Sequence, residues 1–363
     1  MKKFLIIGPF PKPISGVSLA NKVVKEILDQ SDDFKTDFIN TSYPIFEDSV
    51  GSFSLKKLFF FLMLNLKALK MFKNDIIYIT PGQTFFGITK YAIFILLASV
   101  LNKELIIHVH GNYLGKQYQE LKGLKKKVFY FLISKFTKGI VLSSSLVNNL
   151  TPFLDEDKIF VAYNFAEDYL FKDAKETTFE ELKITYLSNL MEEKGILYLL
   201  KSLKELEKRN IPYSAKIAGN IDAELKENIN KKIIDLKNTE YLGVVYKEDK
   251  KELLEWSNIF VLPTFYKMEG QPISILEALA TQNVIIATNH AGIPDIIKSE
   301  INGFIVKPKD SDNILEKLVF LNNNKTKIAE ICKANKKYFI ENFTLSKFNE
   351  QIVKILNANT RVK

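Results

Sequence analysis

The chain has a single cysteine, Cys332, so no intramolecular disulfide framework can form. That is compatible with a reducing compartment. Arginine is almost absent, with Arg209 and Arg361 the only two, although the formal charge is +9. Nucleic-acid surfaces lean on arginine for base and phosphate contacts, so the charge points to another anionic partner. There are three histidines, at 108, 110 and 290. A metal site needs three or four convergent ligands, and none is expected from so few. No apolar run reaches the roughly 20 residues of a membrane-spanning helix. The longest, Tyr91–Leu101, has 11. Any membrane contact is therefore expected at the surface of the bilayer. The opening "MKKFLIIGPF" lacks the long apolar stretch and the small residues of a cleaved signal, and reads as a first β-strand. A G-x-G-x-x-G fingerprint is missing too, which argues against a nicotinamide enzyme.

What is present is enough for two cores: 363 residues, 47% of them hydrophobic. Short Ile/Val-rich runs alternate with longer helical patterns. "KFLIIG", "DIIYIT", "ELIIHVHG", "GIVLSSS" and "KIFVAYN" read as strands of a first α/β half. Charge and turn content rise across residues 166 to 181, and the pattern then restarts with "LKITYLS", "YSAKIAG", "TEYLGVV", "NIFVLPT", "NVIIAT" and "GFIVKP". The expectation is two Rossmann-like, doubly wound α/β domains facing each other across a cleft, with ligands outside the C-terminal ends of the strands. The boundaries read as 1–165 for the first domain, 166–340 for the second, and a final helix in 341–363 that returns to the first.

Two segments carry lysine without acid. Ser54–Asn74 mixes lysines 56, 57, 67, 70 and 73 with Phe and Leu, and Leu121–Leu154 carries lysines 122, 125, 126, 127, 135 and 138. Such mixtures suit helices lying on a lipid surface, and equally core helices with lysine edges.

The chemistry concentrates in "EGQPISILE", residues 269–277. A strand ends at "IFVLPT", a loop follows, and Pro272 suits the first position of a helix. Glu269 then lies at the sheet edge and Glu277 in the second helical turn. Gly270 allows close backbone approach, and free N–H groups at the helix start suit a phosphate. Carboxylates accept sugar and ribose hydroxyls. "PISILEALA" is apolar enough that a buried Glu277 needs a partner. "DSD" at 310–312 has the look of a metal-binding triplet, but precedes "NILEKL" and is better explained as a helix cap. "LIIHVHG" sets His108 and His110 on one face of a strand by its period of two.

"PTFYKMEGQPISILEALA", "TNHAGIPDII" and "NGFIVKPKD" resemble the signature region of glycosyltransferase family 4, which has the GT-B fold. The similarity runs along essentially the whole chain and is most specific from Gly243 to Asp310. It implies that Glu269 contacts the donor sugar and Glu277 the ribose, with backbone amides of Gly270, Gln271, Pro272 and Ile273 at the diphosphate and sugar. "YLSNLMEEKGILYLL" is similar to the family's diphosphate-binding strand–loop–helix. Lys194 matches its lysine, while Asn189 stands where the family has arginine, so one neutralising charge is missing. In "GPFPKPISGVSLAN" a single glycine, Gly16, stands before a helix where family members often have two. His110 matches a histidine that reaches the donor sugar. Asn164 fits the family's cleft segment, whereas Phe165 does not. "GVVYKED" is similar to its base-binding segment, with Val245 as a contact.

The resemblance implies transfer of a sugar with retention of configuration, from a nucleotide-sugar donor, with UDP the expected base, and without cofactor or metal. The lysine–aromatic segments of the first domain point to a lipid-linked or oligosaccharide acceptor. The expected setting is bacterial surface polysaccharide assembly, in a cytoplasmic protein at the inner face of the plasma membrane. Nucleic acid is not an expected partner. Two other readings compete: a sugar-nucleotide epimerase of the same fold, and a non-catalytic basic protein of the membrane surface.

Overall fold

The computed structural model describes residues 1–12, 15–43, 59–60, 63–171 and 179–358. Within the first lysine-rich segment, residues 54–58 and 61–62 lie outside the described residues, as do residues 172–178 of the charged stretch between the two halves. The chain divides into two compact units, 1–163 with 349–363, and 164–348. The last helix, Leu345–Asn357, starts in the second unit and ends in the first. In the first unit Gln351 accepts the Tyr163 N–H at 2.8 Å, and Lys138 Nζ donates to the Ile355 carbonyl at 3.3 Å.

Each unit is built on a six-stranded parallel sheet. The first holds β1 (Lys2–Gly8), β2 (Phe34–Asn40), β3 (Ile76–Ile79), β4 (Glu104–Val109), β5 (Lys138–Val141) and β6 (Ile159–Val161), in the order β2-β1-β3-β4-β5-β6. The second holds β7 (Leu182–Leu187), β8 (Tyr213–Ala218), β9 (Thr239–Tyr241), β10 (Ile259–Leu262), β11 (Val284–Thr288) and β12 (Gly303–Val306), in the order β12-β11-β10-β7-β8-β9. Helices cover both faces of such sheets, so central strands are apolar throughout rather than alternating. β3, β10 and β11 are buried at every residue. The stretch 121–154, similar in composition along its length, is not one helix. It folds as a helix (Gly123–Ile133), β5 and a 3-10 turn (Ser144–Asn149).

Strand order fixes where each unit can bind. In the second sheet the chain leaves β7 toward β8 on one side and β10 toward β11 on the other. The loops after β7 and β10 therefore diverge and leave a crevice between them. In the first sheet the same reversal falls between β1 and β3, with β4 next in line. At that point β1 and β3 approach closely: a Cβ on Gly8 would lie 2.0 Å from Thr80 Oγ1. Asn21 bridges the gap, its Nδ2 donating to Thr80 Oγ1 at 2.7 Å and to the Pro9 carbonyl at 2.9 Å.

Candidate active site

In the second unit, the loop after β7 carries Lys194 and the loop after β10 carries Glu269, both at the topological switch point. Gly195 follows Lys194 in the left-handed region at φ +84°, where a Cβ would meet the Pro263 carbonyl at 2.4 Å. Glycine alone allows the two loops to touch there. The loops are also stitched by Phe265 N–H donating to the Glu193 carbonyl at 2.7 Å. This brings Lys194 Nζ within 2.7 Å of Glu269 Oε2. The Thr264 hydroxyl lies 3.0 Å from the same oxygen, and the Tyr266 ring sits under the lysine at 5.2 Å. Glu269 is only 8% exposed. The pair is thus held where charge is weakly screened. Tyr186, buried beneath, has its hydroxyl pushed up by burial and further by Glu269.

After Glu269 the chain turns into the helix Ile273–Ala280. Pro272 is not its first residue, as the sequence suggested, but the cap before it, with ψ 117°. Proline has no N–H, so of the four loop positions it offers no amide. Gly270, Gln271, Ile273 and Ser274 do, and none of these N–H groups has a partner among the described residues. Gln271 is committed sideways: its Oε1 accepts the Asn164 N–H at 2.6 Å, and its carbonyl accepts Asn164 Nδ2 at 2.9 Å. Asn164, where sequence gave a weak signal, therefore braces the loop. Gln271 Nε2 and Asn164 Oδ1 remain buried without partners.

Glu277 is 7% exposed, and its partner is Lys250, from the helix Lys247–Trp256. Burial opposes the Lys250 charge, but Glu277 and the Tyr169 hydroxyl outweigh it and raise the lysine's pKa. Lys250 and Tyr169 could not be foreseen, because they arrive from separate elements, while Thr264 and Tyr266 share the Glu269 loop but carry no motif that marks them. Lys250→Met should cost about 3 kcal/mol of stability in urea unfolding, since it leaves a buried carboxylate uncompensated. Adding Glu277→Gln should recover much of that loss.

The remaining expected positions of this unit are less enclosed. Asn189 is exposed, and its carbonyl accepts the Tyr186 hydroxyl at 3.0 Å. Val245 lines an open hollow of about 310 Å³ with Lys216, Leu242, Val244 and Asp249. Asp310 caps the helix Ser311–Asn323, its Oδ1 accepting the Asn313 N–H at 2.9 Å, as the capping reading of "DSD" expected. His290 is tied to the same loop, Nε2 lying 2.8 Å from the Tyr266 carbonyl.

In the first unit, Gly16 opens the helix Gly16–Asp29. Ser15 and Ser18 close a capping box there, which occupies the Ser15 and Ser18 N–H groups. His108 and His110 share a face as their spacing requires, with ring centroids 4.0 Å apart. Tyr78 OH bonds to His108 Nδ1. His108 Nε2 and His110 Nε2 are both sealed from solvent and without partners. Burial pushes His110 down to about 3, and burial together with the neighbouring His110 holds His108 well below the ordinary range. Both rings are neutral at physiological pH. His110 can thus accept or donate a hydrogen bond but brings no charge.

The depressed values have a stability consequence with a definite sign. Below about pH 6.5 the unfolded chain takes up protons that the folded chain refuses, so stability is present above that value and lost as pH falls. From pH 6.5 toward 5 the slope should approach about 1.4 kcal/mol per pH unit for each histidine. Urea titrations at several pH values should show that slope, and His110→Asn should make it shallower.

Residues 170–344 match the family model of the glycosyl transferases group 1. That range contains Lys194, Lys250, Glu269 and Glu277. The chain is 22% identical to the putative colanic acid biosynthesis glycosyltransferase WcaL of Escherichia coli K12, over 49% of this chain and 45% of that protein. It is 30% identical to the UDP-Gal:alpha-D-GlcNAc-diphosphoundecaprenol alpha-1,3-galactosyltransferase of Escherichia coli, over 39% of this chain and 36% of that one. The chain spans less than half the length of these two relatives. Among solved structures, Anabaena Alr3699/HepE in complex with UDP and glucose superposes with a TM-score of 0.73 at 17% identity, covering 99% of this chain and 100% of that one. The fold is the two-domain α/β architecture of GT-B glycosyltransferases, as the sequence led one to expect.

Proposed function

We propose that this protein transfers a sugar, with retention of configuration, from a UDP-sugar to a lipid-linked glycan in bacterial surface polysaccharide assembly. The observation that carries the reading is the buried Lys194–Glu269 pair beside four unpartnered backbone N–H groups at a helix start, inside the matched region. Lysine and the helix N-terminus suit a diphosphate, and the carboxylates suit hydroxyls of sugar and ribose. The relatives support the setting, since one is a putative colanic acid biosynthesis glycosyltransferase and another a galactosyltransferase acting on a GlcNAc-diphosphoundecaprenol.

In this reading Glu269 holds the donor sugar and Glu277 holds the ribose. Lys194 and the amides of Gly270, Gln271 and Ile273 carry the charge that builds on the leaving diphosphate. The bond from the anomeric carbon to the diphosphate breaks as the acceptor hydroxyl attacks the same face, and the acceptor's proton passes to the departing phosphate oxygen. The protein's part is to stabilise the separating charges, which is where preorganised groups contribute most. Incubation with UDP-sugars and a polyprenyl-diphosphate-linked sugar tests this. Acceptor-dependent release of UDP, with a lipid product longer by one sugar, is expected. Conversion of the nucleotide-sugar to an epimer without acceptor would establish the competing enzyme instead.

A further inference from the structure

The first unit has an outer layer unlike the rest of the molecule. Its three connections from β2 to β3, β3 to β4 and β4 to β5 all step across the sheet in one direction. Right-handed crossovers place all three on one face, opposite the helix Gly16–Asp29, which connects β1 to β2 in the reverse direction. The helices of that layer include the 3-10 helix Leu66–Lys73, the helices Phe85–Thr89 and Ala92–Val100, the helix Leu114–Glu120, and the helix Gly123–Ile133. The helix Ala92–Val100 packs between the first and last of these.

These five helices contain one acid, Glu120, whose carboxylate accepts the Tyr113 hydroxyl. Many of their outward residues are large and apolar. Leu66, Leu69 (72% exposed) and Phe72 project from the 3-10 helix. Ile93, Leu96 and Val100 (78%) form a stripe along Ala92–Val100, whose other side buries Phe94, Ile95 and Ala98 against the sheet. Leu124 (76%) and Phe131 continue it on the next helix. A helix apolar all round is ordinarily buried or in contact with lipid. Lys67, Lys73, Lys125 and Lys127 stand exposed among these residues. A contiguous apolar face of this kind is rare on a free soluble surface.

We infer that this face docks on an anionic bilayer, with the apolar residues entering the headgroup–acyl boundary and the lysines contacting lipid phosphates. The charge pattern selects that occupant. A second copy meeting the first on this face would bring many lysines together with Glu120 as the one acid of these helices to set against them. Acidic lipids supply the missing sign, each lysine adding to attraction at the surface. This deepens the lipid-linked acceptor reading above, because docking would hold the protein where that acceptor lies.

The test is co-sedimentation of the full chain with vesicles of equimolar phosphatidylcholine and phosphatidylglycerol, against phosphatidylcholine alone. Binding to the mixed vesicles, weakened by salt, is expected. Leu69→Ser combined with Val100→Ser and Leu124→Ser should weaken it by at least about tenfold. Lys67→Gln, Lys73→Gln, Lys125→Gln and Lys127→Gln together should weaken it by about 100-fold or more. All these side chains are exposed, so the fold and turnover of nucleotide-sugar with a water-soluble acceptor should be unchanged. Absence of vesicle binding by the unaltered chain would overturn the inference while leaving the transferase reading standing. So would self-association that the serine substitutions abolish.

Discussion

Glu269→Gln should lower the rate of sugar transfer by about 10²- to 10³-fold, the usual cost of removing one preorganised group from a charge-separating transition state. The carboxylate is buried and fixed by Lys194 at 2.7 Å and the Thr264 hydroxyl at 3.0 Å. Glutamine keeps the shape and can keep the threonine contact, but it cannot balance the lysine or the positive charge that develops on the sugar. The variant should remain folded, with its near-native circular dichroism and cooperative unfolding retained, and should lose rate rather than nucleotide affinity. Wild-type turnover by Glu269→Gln would remove Glu269 from the reaction.

Lys194→Met should weaken binding of UDP by about 100-fold, in line with a charge-assisted hydrogen bond to phosphate. Uridine, which carries no phosphate, should bind the variant about as well as the unaltered protein. That contrast separates a phosphate contact from general damage, because a collapsed site would lose both ligands. Position 189 gives the experiment a second arm. Its asparagine is exposed on the same loop as Lys194 and contributes no charge. Asn189→Arg, added to Lys194→Met, should recover part of the UDP affinity if that position faces the diphosphate. Equal losses of UDP and uridine would show that Lys194 serves the fold instead.

Much of this site was legible because its signals are local. β10 is apolar at every position and β11 at all but its last, Thr288, as buried parallel strands tend to be, so the strand before Glu269 and the strand after its helix could be placed from sequence. The period of two set His108 beside His110. The apolar surroundings of Glu277 required a partner, and one is there. What could not be read is which partner. Lys250 is 27 residues from Glu277, and Lys194 is 75 from Glu269. No periodicity links residues on separate elements, and the strand order that joins them is a property of the whole sheet. Pro272 shows a smaller limit. Its φ of −62° suits either the cap or the first helical turn, and ψ, which proline does not fix, decides between them. The neutrality of His110 was equally hidden, since it depends on burial, which the strand's period of two does not fix.

The central claim is that the two lysine-held glutamates of the second unit form a nucleotide-sugar site. Calorimetric titration of the full chain with a panel of nucleotide-sugars measures it most directly. Saturable binding of a UDP-sugar, lost in Lys194→Met and weakened in Glu277→Gln, is the result this account predicts. Failure of every nucleotide-sugar and every nucleoside diphosphate to bind the folded protein would contradict it.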